Sequence, residues 1–191
     1  LGKALDANCS IATRVDYVYR SKADGKLKPL ADPKSAPADV EMIAREGRMI
    51  PFVVRLETGT INRGIYQIAV LHNPATEAAP DFSTHPAAWN GRLIYTFGGG
   101  CEPGWYQQGD STGGVDDNAK IGKGYAVVSS SLNVAGTNCD ELLSAEVTMM
   151  VKERFVEGYG VPKFTIGFGG SGGSYQQTVI AEAFPGLLDG L

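Results

Sequence analysis

Hydrophobic and polar positions fall into blocks along this chain, and the period changes from block to block. In "MIPFVVRLETGTINRGIYQIAVLHNP", Pro51–Glu57 and Gly64–His72 are rich in Val, Ile, Phe and Tyr. That enrichment predicts two strands joined by a hairpin-like loop through Thr-Gly-Thr-Ile-Asn-Arg. Arg92–Phe97 predicts a third strand, ended abruptly by Gly98-Gly99-Gly100. Lys123–Leu132 predicts a fourth, and its apolar run suits burial on both faces. In "ELLSAEVTMMVKERFVEGYG", Leu143, Val147, Met150, Val151 and Arg154 then fall at helical spacing. Asn138 and Asp140 are placed to cap that helix, and Gly158 and Gly160 to stop it. "PKFTIGF" predicts another strand. Ser174–Phe184 predicts a second helix, closed by Pro185-Gly186, and "LLDGL" the start of one more strand. Residues 1–48 keep no sustained period and read as an extended surface arm or meandering loop. A Pro- and Ala-rich connection fills 75–89.

The later half therefore alternates strand and helix, which predicts an α/β domain over 49–191 with a mostly parallel sheet and helices on both faces. Crossovers are right-handed by default, and ligands in such sheets sit beyond the carboxyl ends of the strands. Gly98–Cys101 and Gly169–Gly173 are both loops of that kind, so they are expected on one edge of the sheet.

Composition narrows the classes. At 191 residues and 43% hydrophobic content the chain can bury a core of its own. A net charge of −4 gives no electrostatic footprint for nucleic acid or an anionic membrane. No run approaches the ~18 apolar residues of a membrane span. The chain opens on Leu1 and shows no signal peptide, as a mature or trimmed product would. Cys9, Cys101 and Cys139 leave an odd thiol. Two readings stay open: three buried thiols, or a Cys101–Cys139 disulfide with Cys9 bonded elsewhere.

The chemistry concentrates in "FTIGFGGSGGSYQQTVIAEAF". Gly167 to Gly172 fits GxGxxG, a phosphate cradle, while Gly169 to Gly173 fits GxSxG, a turn that presents a serine. The dinucleotide reading needs an acid about 20 positions on, at the end of the next strand. Asp189 has nearly that spacing, but a helix of about 11 residues, roughly 16 Å long, first carries the chain to the opposite edge. Asp189 then starts its strand, far from the loop. The serine reading fits the context. Residues two before and two after the serine must be tiny, and here they are Gly169 and Gly173. Such a turn lifts Ser171 Oγ off the sheet edge and aims the first helical N–H groups at a developing oxyanion. Gly172 N–H is one expected donor, and the second is expected from Gly99 or Gly100 in "FGGGC".

A nucleophilic serine needs a base, in this fold class in the order serine, acid, His. His72 and His85 both precede Ser171 and read as an edge histidine and a surface residue, and neither Glu182 nor Asp189 suits the acid role. The expectation is that a second polypeptide or a C-terminal segment beyond Leu191 supplies acid and His. Cys101, Trp105 and Tyr106 after the first glycine loop, and Tyr175 and Gln176 after the second, are candidates to line the substrate cleft. Asp110, Asp116 and Asp117 in "GDSTGGVDDNAK" lack the spacing of a calcium loop and read as a solvated turn. No metal or cofactor is expected.

"WNGRLIYTFGGGC", "GKGYAVVSSSLN", "GFGGSGGSYQQ" and "AEAFPGLLDGL" occur in an order that resembles the tannase and feruloyl-esterase-like branch of the α/β-hydrolases. "VRLETGTINRGIYQIAVL" looks closer to a large bacterial family known only as a domain of unknown function. The resemblance covers most of residues 50–191. It implies an α/β-hydrolase fold, incomplete in this chain, and a secreted or periplasmic serine esterase for a small-molecule or oligomeric ester. By carry-over Ser171 is the nucleophile, and Gly172 with Gly99 and Gly100 forms the oxyanion hole. Tannase-like enzymes commonly place a Cys just before the serine, bonded to a Cys beside the His. Here Gly170 takes that place, which leaves polyester-oligomer hydrolases and other secreted esterases open.

Overall fold

The protein is described by a computed structural model that covers residues 2–100 and 109–191. Its main element is a seven-stranded mixed sheet. The strands are β1 (Arg14–Arg20), β2 (Leu27–Pro29), β5 (Val53–Ile61), β6 (Gly64–Leu71), β7 (Arg92–Gly98), β8 (Ala126–Val134) and β9 (Phe164–Phe168), in spatial order β2-β1-β5-β6-β8-β7-β9. A separate hairpin pairs β3 (Met42–Arg45) with β4 (Arg48–Pro51). Helices α1 (Asn118–Gly122), α2 (Glu141–Tyr159) and α3 (Gly172–Ala183) complete the described elements.

The expected mostly parallel sheet is not what forms. Pairs β1–β2, β1–β5, β5–β6 and β6–β8 are antiparallel, whereas β7–β8 and β7–β9 are parallel. Strand-helix alternation forces parallel pairing from β7 onward, but β5 and β6 need no crossover. Their connection is tighter than the expected loop: β5 runs to Ile61, and Asn62 and Arg63 turn the chain with φ of 49° and 66°. Positive φ at both central residues matches the right-handed twist of the flanking strands. Residues 1–48 are also more ordered than their composition suggests. Arg14, Asp16 and Arg20 make β1 look polar, yet it pairs with β5 from Arg14↔Thr58 to Tyr19↔Val53.

Period-2 alternation assigns the core. Tyr66, Ile68 and Val70 of β6, with Leu93, Tyr95 and Phe97 of β7, face α2 and α3. Ala69, Leu71 and Val127 face the other way and meet Ile121 of α1 with Phe52, Val54 and Val115. Helices thus cover both faces, as expected. The buried stripe of α2 is Ser144, Val147, Thr148, Val151, Phe155 and Tyr159, an i, i+3/i+4 series with two polar members. Asp140 caps α2 by accepting Leu143 N–H at 2.7 Å. One turn before its C-terminus, Arg154 reaches across to Glu57 of β5 at 2.8 Å. Glu57 is only 1% exposed and also accepts the hydroxyls of Tyr66 and Tyr159, so its charge is compensated inside the fold. Burial alone would lower the Arg154 guanidinium, but Glu57 and Tyr66 hold it above its ordinary value.

Candidate active site at the carboxyl edge of the sheet

β7 and β9 run parallel with Thr96 level with Phe168, so the loops leaving them meet at one edge. At that edge the chain turns from β9 into α3 at Ser171, which takes φ 55° and ψ −126°. A non-glycine residue rarely holds such a backbone, and the strain persists only where neighbours over-determine it. Ser171 is exposed and is the N-cap of α3, yet its hydroxyl makes no capping bond. The side chain thus projects to solvent at the positive end of a helix, beside Gly172 N–H, while Gly173 and Ser174 N–H donate to the Gly170 and Ser171 carbonyls at 3.0 and 2.9 Å. α3 starts at Gly172, two residues earlier than the apolar pattern indicated.

The flanking glycines are set by backbone crossing. A Cβ at either Gly169 or Gly173 would lie 2.6 Å from the Phe97 carbonyl oxygen, and one at Gly172 would collide with the Gly100 carbonyl. Strand β7 and the start of α3 therefore pass with their main chains in contact. On the other side, Gly99 faces the serine: a Cβ there would stand 3.7 Å from Ser171 Cβ. The Gly99 carbonyl accepts Gly136 N–H at 3.0 Å, and Gly100 takes φ 100° against Gly136. Hence Ser171, Gly172, Gly99 and Gly100 meet in one place, as their positions in the sequence suggested.

Behind the turn lies a buried polar network that the sequence did not disclose. Tyr95 Oη donates to Asn133 Oδ1 at 2.6 Å, and Asn133 Nδ2 donates to the Ser144 carbonyl at 2.9 Å. Burial pushes the Tyr95 phenol well above its ordinary range, so it stays a donor. Gln176 Nε2 donates to the Asn138 carbonyl at 2.7 Å and to Ser144 Oγ at 3.1 Å. Gln176, expected at the cleft, is thus 4% exposed and points its amide inward. Tyr175 is 48% exposed beside the turn and donates its hydroxyl to Glu141. The signal for the network was the run of Asn, Ser and Thr in β8 and α2, which reads as weak amphipathicity rather than as a connected set.

Cys101, Trp105 and Tyr106 lie outside the described residues, and so does one half of the Cys101–Cys139 pair. Cys139 Sγ approaches the Ala135 carbonyl at 2.8 Å. Asp117 caps α1 by accepting Ala119 and Lys120 N–H, while Asp110 and Asp116 border a cavity of about 590 Å³ over β1, β5 and β6. Among the described residues no group of three His, Cys, Asp or Glu could hold a metal ion. No helix among them is long and apolar enough to cross a membrane.

Both histidines lie at the opposite edge. β6 runs antiparallel to β8 with Gln67 level with Ser129, which is level with Thr96. His72 is five residues further on, about 17 Å away at the rise of a strand. Its Nε2 donates to the Ala78 carbonyl at 2.9 Å and its Nδ1 pairs with Tyr17 Oη at 3.1 Å, so both ring nitrogens are engaged within this edge of the fold. His85 packs edge-on against Trp89, ahead of β7, with ring centroids 5.6 Å apart. Asp189 Oδ2 accepts Thr165 N–H at 2.7 Å and Gly190 bridges Ile166 in parallel. Asp189 therefore sits beside the start of β9, away from the glycine turn, as the argument against a dinucleotide loop required. No curated protein matches the sequence. The profile of the tannase-like family of unknown function (DUF6351) matches residues 1–191, and the chain belongs to that family.

Proposed function

We propose that this chain carries the nucleophile and oxyanion hole of a carboxylic ester hydrolase with an α/β-hydrolase fold. The observation that carries the reading is Ser171: exposed, at φ 55°, on the N-terminus of α3, with the Gly99 backbone beside it. The parallel set β8-β7-β9, with both glycine loops at its carboxyl ends, supports the fold assignment. Membership of a tannase-like family supports the ester-cleaving chemistry. Ser171 Oγ attacks the ester carbonyl while a base takes its proton. Negative charge grows on the carbonyl oxygen and is met by Gly172 N–H, an N–H of the Gly99–Gly100 segment and the α3 dipole. Collapse expels the alcohol and leaves an acyl-enzyme, which water then clears. Because His72 and His85 lie at the other edge, acid and base come from another polypeptide or a further segment.

Ser171→Ala is expected to abolish ester turnover while circular dichroism stays unchanged. Retained turnover refutes the proposal. The distant histidines favour one second reading, a binding module that keeps the turn without catalysis. In that case a fluorophosphonate leaves Ser171 unlabelled even when every partner is present.

A further inference from the structure

The strained turn at Ser171 must be held by something, and the structure shows what crosses it. Gln177, one helical turn beyond Gly173, is 4% exposed. Its Nε2 donates to the Gly169 carbonyl at 3.0 Å and to the Gly173 carbonyl at 3.1 Å. Those two carbonyls belong to the first and last residues of the GxSxG turn. A single primary amide thus ties the end of β9 to the start of α3 across the serine. Both acceptors are carbonyls, so only the NH₂ half of the amide can serve them. The other half lies against β9: a Cβ at Gly167 would come within 2.8 Å of Gln177 Oε1. Adjacent Gln176 faces Asn138 and Ser144 instead, so the two consecutive glutamines fasten α3 to different neighbours, one to the start of α2 and one to the turn.

We infer that Gln177 is a positioning residue: its amide closes the turn and keeps Ser171 in the backbone conformation that projects its hydroxyl. This role in reactivity rests on the serine-hydrolase reading, whereas the closure of the turn does not. A helix start held only by backbone would let Ser171 relax from positive φ, because among the described residues no other side chain hydrogen-bonds both Gly169 and Gly173. A carboxylate at 177 has the same shape but no proton to give, and it faces two carbonyl oxygens. A protonated carboxyl can serve one of them.

The test uses the full protein as Gln177→Leu, Gln177→Glu and, as a control, Val151→Ala, a core truncation in α2. Two readouts are taken at a temperature where all are folded: amide exchange of residues 172–175, and the rate constant for fluorophosphonate labelling. Gln177→Leu is expected to speed exchange and slow labelling, each about tenfold, the size of one net hydrogen bond. Val151→Ala is expected to lose thermal stability with neither readout changed. For Gln177→Glu, the labelling rate relative to wild type recovers as acidification restores a donor proton. If Gln177→Leu does not fold, the acid-dependent recovery of Gln177→Glu decides. Unchanged exchange in a folded Gln177→Leu, or no recovery in Gln177→Glu where the wild type is labelled, overturns the closure. Faster exchange with undiminished labelling overturns the positioning role. An unlabelled wild type with faster exchange in Gln177→Leu keeps the closure and defeats the serine-hydrolase reading.

Discussion

Replacing Gly173 by alanine puts one methyl carbon where two backbones cross. Its Cβ would lie 2.6 Å from the Phe97 oxygen, 3.0 Å from the Phe97 carbon and 3.1 Å from the Gly98 oxygen. All three are main-chain atoms of β7 or its end, so no side chain can swing aside. Two effects compete. Alanine is the better helix former by up to about 1 kcal/mol. Overpacking costs about 1–3 kcal/mol, and the upper end applies where backbone must move. The clash wins, with a net loss of about 2 kcal/mol. For a chain of this size, melting shifts about 2–4 °C per kcal/mol, so Gly173→Ala is expected to melt about 4–8 °C lower. Gly158 provides the internal comparison. It lies in the last turn of α2, and a Cβ there meets nothing within 4 Å. Gly158→Ala is expected to stabilise by about 0.5 kcal/mol. Calorimetry on both variants checks the pair. A Gly173→Ala protein as stable as wild type refutes the argument from crossing backbones.

Ser171→Gly relieves about 1–3 kcal/mol of strain at some cost in chain entropy, and is expected to raise stability by about 1 kcal/mol in urea unfolding. Glu57→Ala leaves Arg154 and Arg55 without their buried carboxylate, and is expected to cost about 3–5 kcal/mol by the same assay. Burial holds the Tyr95 and Tyr159 phenols above their ordinary pKa of about 10, so above that pH the unfolded chain binds fewer protons than the folded one. Stability is therefore expected to fall as pH rises past about 10, by up to about 1.4 kcal/mol per unit per phenol, and Tyr95→Phe to flatten that slope. A slope in urea unfolding that Tyr95→Phe leaves unchanged contradicts the prediction.

What the sequence disclosed follows from how strongly each signal depends on local chemistry. β6 and β7 stand out because alternate residues of each are buried against different layers, which demands apolar text. The Ser171 turn stands out because crossing backbones exclude side chains, and only glycine satisfies that. The β5–β6 hairpin was legible from two apolar runs close together in the chain, but the tightness of its turn was not, because Asn62 and Arg63 carry no glycine signal. β1 was hidden because its exposed face carries Arg14 and Asp16, which also pair with each other. Ser144 and Thr148 diluted the apolar stripe of α2 because they face a buried network rather than apolar neighbours. Gln177 gave no signal at all: its role depends on which carbonyls end up within reach after the turn has formed.

The most direct test of the central claim is a mass map of the complete protein after reaction with a fluorophosphonate. The account predicts a single adduct, on Ser171, that competes with ester substrate. A folded, complete protein that carries no adduct there, or carries it on another residue, contradicts it.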